Sequence, residues 1–310
     1  MSEAFFICGA TGTQGGATAR QLLQSGATVH ALARDPTSTN AQALKDLGVK
    51  LWHGDFDNED ALKSALAGTS AVFLNFMPEM ADLDANLRQA KLILRLAHET
   101  GTVSHVVYSS SVGTNSMLQS PIVEAGSMFA QILQSKVDIE QAVRESTLGH
   151  WTILRPGNFM ANYVNPLASM QLMGLAETGR WNTANREADL MPLVDTTTIG
   201  RFSAAALLDP TKFHKREIAY ADELISMGGI MQKLSDATGR DLRMATLTDE
   251  EIEAQRAGNP FIGGQLLMRD MHKYVDLEEA KEWGIPLSNF DEFLKRERNT
   301  VEMTYRAAAK

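Results

Sequence analysis

The stretch that most constrains this chain is "FFICGATGTQGG", residues 5–16, where a greasy run gives way to four glycines in eight positions before a helix-like segment begins. A glycine inside an element costs about 1 kcal/mol relative to alanine, so such a density needs a use that offsets it. Gly9, Gly12 and Gly15 stand at GxxGxxG spacing, after an apolar run and at the opening of a helix. That is the context of a dinucleotide-binding turn. In this reading Gly9 makes the tight turn, Gly12 lets backbone amides approach a pyrophosphate, and Gly15 lets the helix pack closely on the sheet. The helix start then faces the anion with unpaired N–H groups and the positive end of its dipole.

The rest of the chain repeats the alternation. Residues 4–8 read as a strand, 15–25 as a helix and 28–33 as a strand. Further strands follow in "VKLWHGD", "SAVFLNF" and "SHVVYSSS", separated by the helix-like "NEDALKSALAG" and "ADLDANLRQAKLILRLAHETG". After a loop over 112–127, the helical "MFAQILQSKVDIEQAVRES" leads to a strand, "HWTILRP", closed by Pro156. Apolar strands alternating with helices predict an α/β fold, a doubly wound parallel sheet of Rossmann type. We expect it to occupy residues 1–156 with about 190–220. A smaller, mainly helical α+β domain over the cleft is expected from 157–189 and 221–310, where Thr248 and Glu251 have capping-box spacing.

Composition narrows the function. A net charge of −9 and a pI near 5.3 repel a phosphate backbone, so no direct nucleic-acid contact is expected. No window approaches the roughly 18 apolar residues of a membrane span, and the start has no leader-like pattern. The lone Cys8 fits a reducing compartment, so the expected location is the cytoplasm, with the nucleus open to a diffusing protein. The histidines, His30, His53, His98, His105, His150, His214 and His272, lack ligand spacing, so no metal is expected. A nucleophile elbow and a GxxxxGK[ST] motif are both absent.

The end of the second strand selects the nucleotide. A dinucleotide fold that takes NAD tends to place an acid there, and one that takes NADP an arginine. Here the strand ends in Arg34, whose guanidinium can fork onto a 2′-phosphate, with Asp35 following as a softening influence. NADP(H) is therefore favoured over NAD(H).

These residues carry a resemblance. "GATGTQGG", "ARDP", "GDFDNEDAL", "VVYSS" and "SKVDIEQAVRESTLGHWTILRPGNFMANY" together resemble the NmrA-like family, a branch of the atypical short-chain dehydrogenases, over nearly the whole length. The resemblance implies that Thr11, Gly12, Thr13 and Gln14 line the phosphates and that Asp55 and Phe56 flank the adenine. It places Asn75, Phe76 and Met77 near the nicotinamide-side ribose, with Ser109 and Ser110 behind the ring. Lys136 matches the family's helix lysine, and Gly157, Asn158 and Phe159 match its loop beside the nicotinamide.

Reduction of a carbonyl leaves an alkoxide, so a reductase needs a proton donor or charge stabiliser. Ordinary short-chain dehydrogenases use a tyrosine four residues before the lysine, where this chain has Ile132. Two expectations follow. In one, Lys136 is the acid of an NADPH-dependent oxidoreductase acting on a small apolar or aromatic C=O, C=N or C=C compound, in a cleft walled by Phe76, Met77, Met80, Phe129, Phe159, Tyr163 and Trp181. Tyr108 and Tyr163 are the weaker donors. In the other, Lys136 only bonds the ribose hydroxyls of the cofactor, and the chain is a non-catalytic NADP(H) redox sensor that regulates a protein partner such as a transcription factor. Either fits a monomer or a homodimer.

Overall fold

The structure is a computed structural model that describes residues 3–256, 258–259 and 261–306. The strands, in chain order, are β1 (Ala4–Ile7), β2 (Thr28–Ala33), β3 (Lys50–His53), β4 (Ala71–Leu74), β5 (His105–Ser109), β6 (His150–Pro156), β7 (Asn158–Phe159), β8 (Arg180–Thr183), β9 (Leu190–Val194), β10 (Arg216–Tyr220), β11 (Glu223–Ser226) and β12 (Arg243–Thr246). The helices needed below are α1 (Thr13–Gln24), α2 (Thr39–Asp46), α3 (Glu59–Leu66), α4 (Ala85–Glu99), α5 (Thr114–Leu118) and α6 (Met128–Arg144).

Among the described residues, seven strands form a sheet in the order β10-β6-β5-β4-β1-β2-β3. Its registers are parallel from β3 across to β6, with Phe5 opposite both Val29 and Ala71 and Val106 opposite both Val72 and Trp151. This is the doubly wound α/β arrangement expected from the alternation. Strands covered on both faces must be apolar throughout, and Phe5, Phe6, Ile7, Val72 and Phe73 are all essentially inaccessible. The strand order reverses between β1 and β4, and it is beyond the carboxyl ends at such a point that open α/β sheets bind ligands.

The chain divides into two compact units. The first comprises Met1–Asn115, Gln131–Arg155 and Ile199–Ile218; the second comprises Ser116–Ala130, Pro156–Thr198 and Ala219–Lys310. The first unit's core joins Phe6, Leu62, Ile93, Val106, Tyr108 and Ile153. The second has its own core of Met160, Tyr163, Trp181, Ile230, Phe290 and Tyr305, together with a smaller cluster at Ala184, Leu247, Ile252 and Ile262. The second unit carries two small sheets, β11-β9-β7 and β12-β8.

Local signals account for the element ends. Asn58 caps α3 by accepting from the Ala61 N–H at 3.0 Å. The Thr248–Glu251 capping box is formed in both directions, Thr248 N–H to Glu251 Oε2 at 2.8 Å and Glu251 N–H to Thr248 Oγ1 at 3.2 Å. Two helices depart from the sequence reading. Thr114–Leu118, expected within a loop, forms the short α5, and α2 was not anticipated. α2 buries only Ala41 and Leu44, too few for a visible apolar period. No helix of the described residues is long and apolar enough to cross a membrane.

Candidate functional site

The glycine turn lies between β1 and α1, at the switch point. Gly9 has φ +63°, a left-handed conformation that side chains rarely adopt, and its N-terminal neighbour Cys8 bonds across to the Phe73 carbonyl of β4 at 3.0 Å. A Cβ at Gly15 would lie 2.6 Å from the Cys8 carbonyl oxygen, closer than real carbon atoms approach. Gly15 is thus what lets α1 sit against the strand. The helix begins at Gly12, which supplies no capping side chain, and its first turn carries no acidic residue. Its leading N–H groups therefore face outward in an electropositive setting. Gly16, unassigned from the sequence, has the same role as Gly15 one step on, since a Cβ there would meet the Ala10 carbonyl at 2.9 Å.

Arg34 is exposed at the end of β2 and makes no ion pair among the described residues. Asp35, the next residue, bonds within its own turn. Its carboxylate accepts from the Thr37 N–H at 2.8 Å and the Thr37 hydroxyl at 2.6 Å, and these bonds hold it below the usual carboxylate range. Asn40, missed from the sequence, ties α2 to the glycine turn through a 3.1 Å bond to the Thr11 carbonyl.

At the end of β3, Asp55 is an exposed turn residue that accepts from the Asp57 N–H at 3.1 Å. Phe56 packs edge-on against Phe76 with ring centres 5.7 Å apart, which brings two expected site residues together. Met77 and Met80 are 78% and 59% exposed on the segment after β4, with the Met77 carbonyl held by Asn86 at 3.0 Å. Gln14 does not stand apart as a phosphate contact: its amide bridges Asn75 and Ser109, at the ends of β4 and β5. Ser110 is buried beside Ser109, with its N–H on the Leu154 carbonyl at 2.8 Å.

Lys136 lies on α6. Burial of its ammonium end holds it below the ordinary lysine range, partly offset by the charge of Glu140 one turn on. Among the described residues it makes no ion pair, because Glu140 is committed elsewhere: it accepts from Arg144 at 2.8 Å and from Arg155 at 2.9 and 2.5 Å. Glu217 closes the quartet with bonds of 2.6 Å to both arginines. This balanced network pins α6 to β6. Beside Lys136 is a cavity of about 10 Å³, room for about one water centre, lined by Phe76, Tyr108, Ile132 and Ser135 among others. Tyr108, the weaker donor from the sequence, shares this cavity with Lys136, and burial raises its hydroxyl pKa.

The expected residues of the second unit are differently employed. A Cβ on Gly157 would run into the Pro192 carbonyl, so this glycine is required by packing. Asn158 donates to the Tyr163 hydroxyl at 3.1 Å and accepts from Asn162 at 2.7 Å, while Phe159 pairs with Val194 in the small sheet. Tyr163 and Trp181 are 2% and 3% exposed and belong to the core, where the Tyr163 carbonyl receives the Tyr305 hydroxyl at 2.7 Å. They are core residues, not the free wall read from the sequence. Phe129 instead lines a pocket of about 110 Å³ with Ile122, Met128, Arg256, Gly263 and Leu267. The described residues contain no metal-binding cluster.

A parallel sheet with a glycine turn at its switch point defines a Rossmann-type α/β protein. The family is reached from the sequence as a whole: residues 1–294 match the model of the NmrA-like family, and the chain belongs to it. Among curated proteins it is similar to an NmrA-like family domain-containing oxidoreductase of Aspergillus campestris, 27% identical over 259 residues, covering 76% of this chain and 73% of that one. A protein of the same description from Malbranchea aurantiaca is 27% identical, covering 78% and 74%. Among solved structures it resembles NmrA, a negative transcriptional regulator in complex with NAD, with a TM-score of 0.74 at 19% identity over 97% of each chain. It also resembles an NADPH-dependent quinone oxidoreductase of Escherichia coli complexed with NADPH, with a TM-score of 0.71 at 20% identity, covering 94% and 99%.

Proposed function

We propose that this chain is an NADP(H)-dependent oxidoreductase that reduces a C=O, C=N or C=C bond of a small apolar or aromatic compound. The observation that carries the reading is Lys136: a lysine with a desolvated ammonium and, among the described residues, no ion-pair partner, beside apolar Phe76, Ile132 and Ile139, where Ile132 stands at the position of the usual tyrosine. The relatives named as oxidoreductases support it.

The residues present fit a dinucleotide. Gly9 and Gly15 keep Cβ atoms out of the turn, the uncapped start of α1 offers N–H groups to a pyrophosphate, and Arg34 is unpaired at the strand end. Asp35, ionised but bonded to Thr37, softens the preference that Arg34 gives for a 2′-phosphate without supplying a free acceptor for a ribose hydroxyl. When bound, the nicotinamide supplies a hydride. Lys136 then serves as the acid, holding a proton on Nζ for the oxygen or nitrogen that gains charge; its lowered pKa eases that transfer. The buried cavity beside it has room for a water through which the proton could pass.

Calorimetric titration should show NADP(H) binding well ahead of NAD(H), and Arg34→Ala should cost about 1.5–3 kcal/mol of NADP(H) affinity with NAD(H) little changed. Equal affinities in the wild type would refute the selectivity. NADPH oxidation against quinones, enones, imines and aromatic ketones tests the reaction. Ile132 supports a second reading, a non-catalytic NADP(H) sensor that regulates a protein partner; the structural relative NmrA is a negative transcriptional regulator in complex with NAD. Tight NADP(H) binding without turnover across that panel would favour it.

A further inference from the structure

The side-chain amide of Gln14 joins three segments at the switch point. The buried Ser109 hydroxyl donates to Gln14 Oε1 at 2.7 Å, and Gln14 Nε2 donates to Asn75 Oδ1 at 3.0 Å. The two bonds run in one direction, from β5 through α1 to the residue after β4. Their direction decides what Asn75 has left to offer. With Oδ1 occupied, its free group is the Nδ2 amide, the very atom that a Cβ on Gly9 would meet at 3.1 Å. Asn75 is partly exposed, so this donor lies against the glycine turn within reach of a ligand. The two ends of an asparagine amide are nearly identical in shape, and the bonds of its neighbours select which end faces outward.

We infer that Gln14 is a positioning residue: anchored by Ser109, it holds Asn75 with its amide nitrogen presented at the glycine turn, so that the crevice offers a hydrogen-bond donor to an oxygen of the dinucleotide. This rests on the nucleotide reading above. The recognised group is an oxygen acceptor of the pyrophosphate or of the ribose beyond it. Without Gln14, Asn75 is free to turn its own oxygen toward that acceptor, and the contact becomes a repulsion.

The test uses the full chain and three ligands: NADP(H), adenosine 2′-phosphate 5′-diphosphate, and adenosine 2′,5′-bisphosphate, which lacks the pyrophosphate. Gln14→Met, which keeps the shape but cannot bond, should weaken NADP(H) binding roughly tenfold and leave the bisphosphate within about twofold. A loss shared by the diphosphate assigns the acceptor to the pyrophosphate, and a loss confined to NADP(H) assigns it to the ribose. In an Asn75→Ala background the Gln14→Met loss should vanish, because the residue acts through Asn75. Gln14→Glu, which forces the Asn75 amide inward, should weaken NADP(H) binding at least as much. Additive losses, or an equal loss for all three ligands, would show a general structural role and overturn the inference. Independently of any ligand, NMR should find the Gln14 side-chain NH₂ protected from exchange and that of Asn75 exchanging freely. The reverse pattern overturns the assigned polarity, and failure of the wild type to bind any of the three ligands overturns the nucleotide reading itself, and this role with it.

Discussion

The β1–α1 turn of the first unit and the Gly157–Tyr163 segment of the second were read from the sequence as parts of one binding site, yet their polar groups are used differently. At the turn, among the described residues, the N–H groups starting α1 have no side-chain cap, Arg34 makes no ion pair, and the Asn75 amide nitrogen is left over after its oxygen is bonded. In the second segment Asn158 bonds both Tyr163 and Asn162, and Tyr163 sits in the core. A group already bonded internally must give up that partner to meet a ligand, whereas a solvent-facing donor exchanges only water for it and keeps the modest net gain of a hydrogen bond. The contrast leaves unused polar groups at the strand ends of the first unit and bonded ones in the second segment.

The sharpest way to break this contrast is at Lys136. Lys136→Met should lower turnover by roughly 10²–10⁴-fold with nucleotide affinity nearly unchanged, measured by steady-state rates and calorimetry. It should also raise thermal stability, since a lysine held below its unfolded pKa destabilises the fold wherever it is protonated. An unchanged rate would remove Lys136 from the chemistry.

Next is Gly15→Ala, where the new Cβ meets the Cys8 carbonyl and α1 must lift from the sheet. A loss of about 3 kcal/mol or more in chemical denaturation is expected, together with loss of nucleotide binding. Wild-type stability and affinity in this variant would show that the turn tolerates what its geometry forbids.

Acid probes the first unit through His105, which is buried, bonded to the Ala206 carbonyl at 3.0 Å and pushed down to about 4 by desolvation. Between about pH 6.5 and 4 the unfolded chain binds a proton that the folded one refuses. Stability is therefore full above that window and is lost as pH falls through it, by up to about 3 kcal/mol. His105→Gln should flatten that slope; an unaltered slope would place the acid sensitivity elsewhere.

The smallest effect belongs to the second segment. Asn158→Ala should cost about 1–2 kcal/mol of stability by leaving the Tyr163 hydroxyl poorly satisfied, with nucleotide affinity within about twofold. A large loss of affinity at unchanged stability would erase the difference between the two regions.

Much of the first unit was legible because its constraints are local. The glycine spacing, the apolar runs of β1, β4 and β5, and Arg34 at a strand end each follow from neighbours in sequence, where backbone sterics and two-sided burial dictate the residue type. The α2 helix escaped because Ala41 and Leu44 are too few to make a period. Asn40, Gly16 and the Glu140–Arg155 pair escaped because each acts on a distant or unmarked partner.

The sequence by itself determined the alternating α/β fold, the glycine turn and the missing tyrosine at Ile132, since these depend on periodicity, on the absence of Cβ atoms and on residue identity. Tertiary structure alone decided that Asp35 serves Thr37, that Trp181 and Tyr163 are core, that Glu140 is taken by arginines and leaves Lys136 without an ion pair, and that Gln14 spans from α1 to β4 and β5. The reason is that each polar group has a limited set of donors and acceptors, and these are used by whichever partners the fold brings within reach. Which of several chemically able partners is reached depends on distances between segments far apart in the chain, 95 residues for Gln14 and Ser109 and 142 for Tyr163 and Tyr305, and no local pattern encodes them.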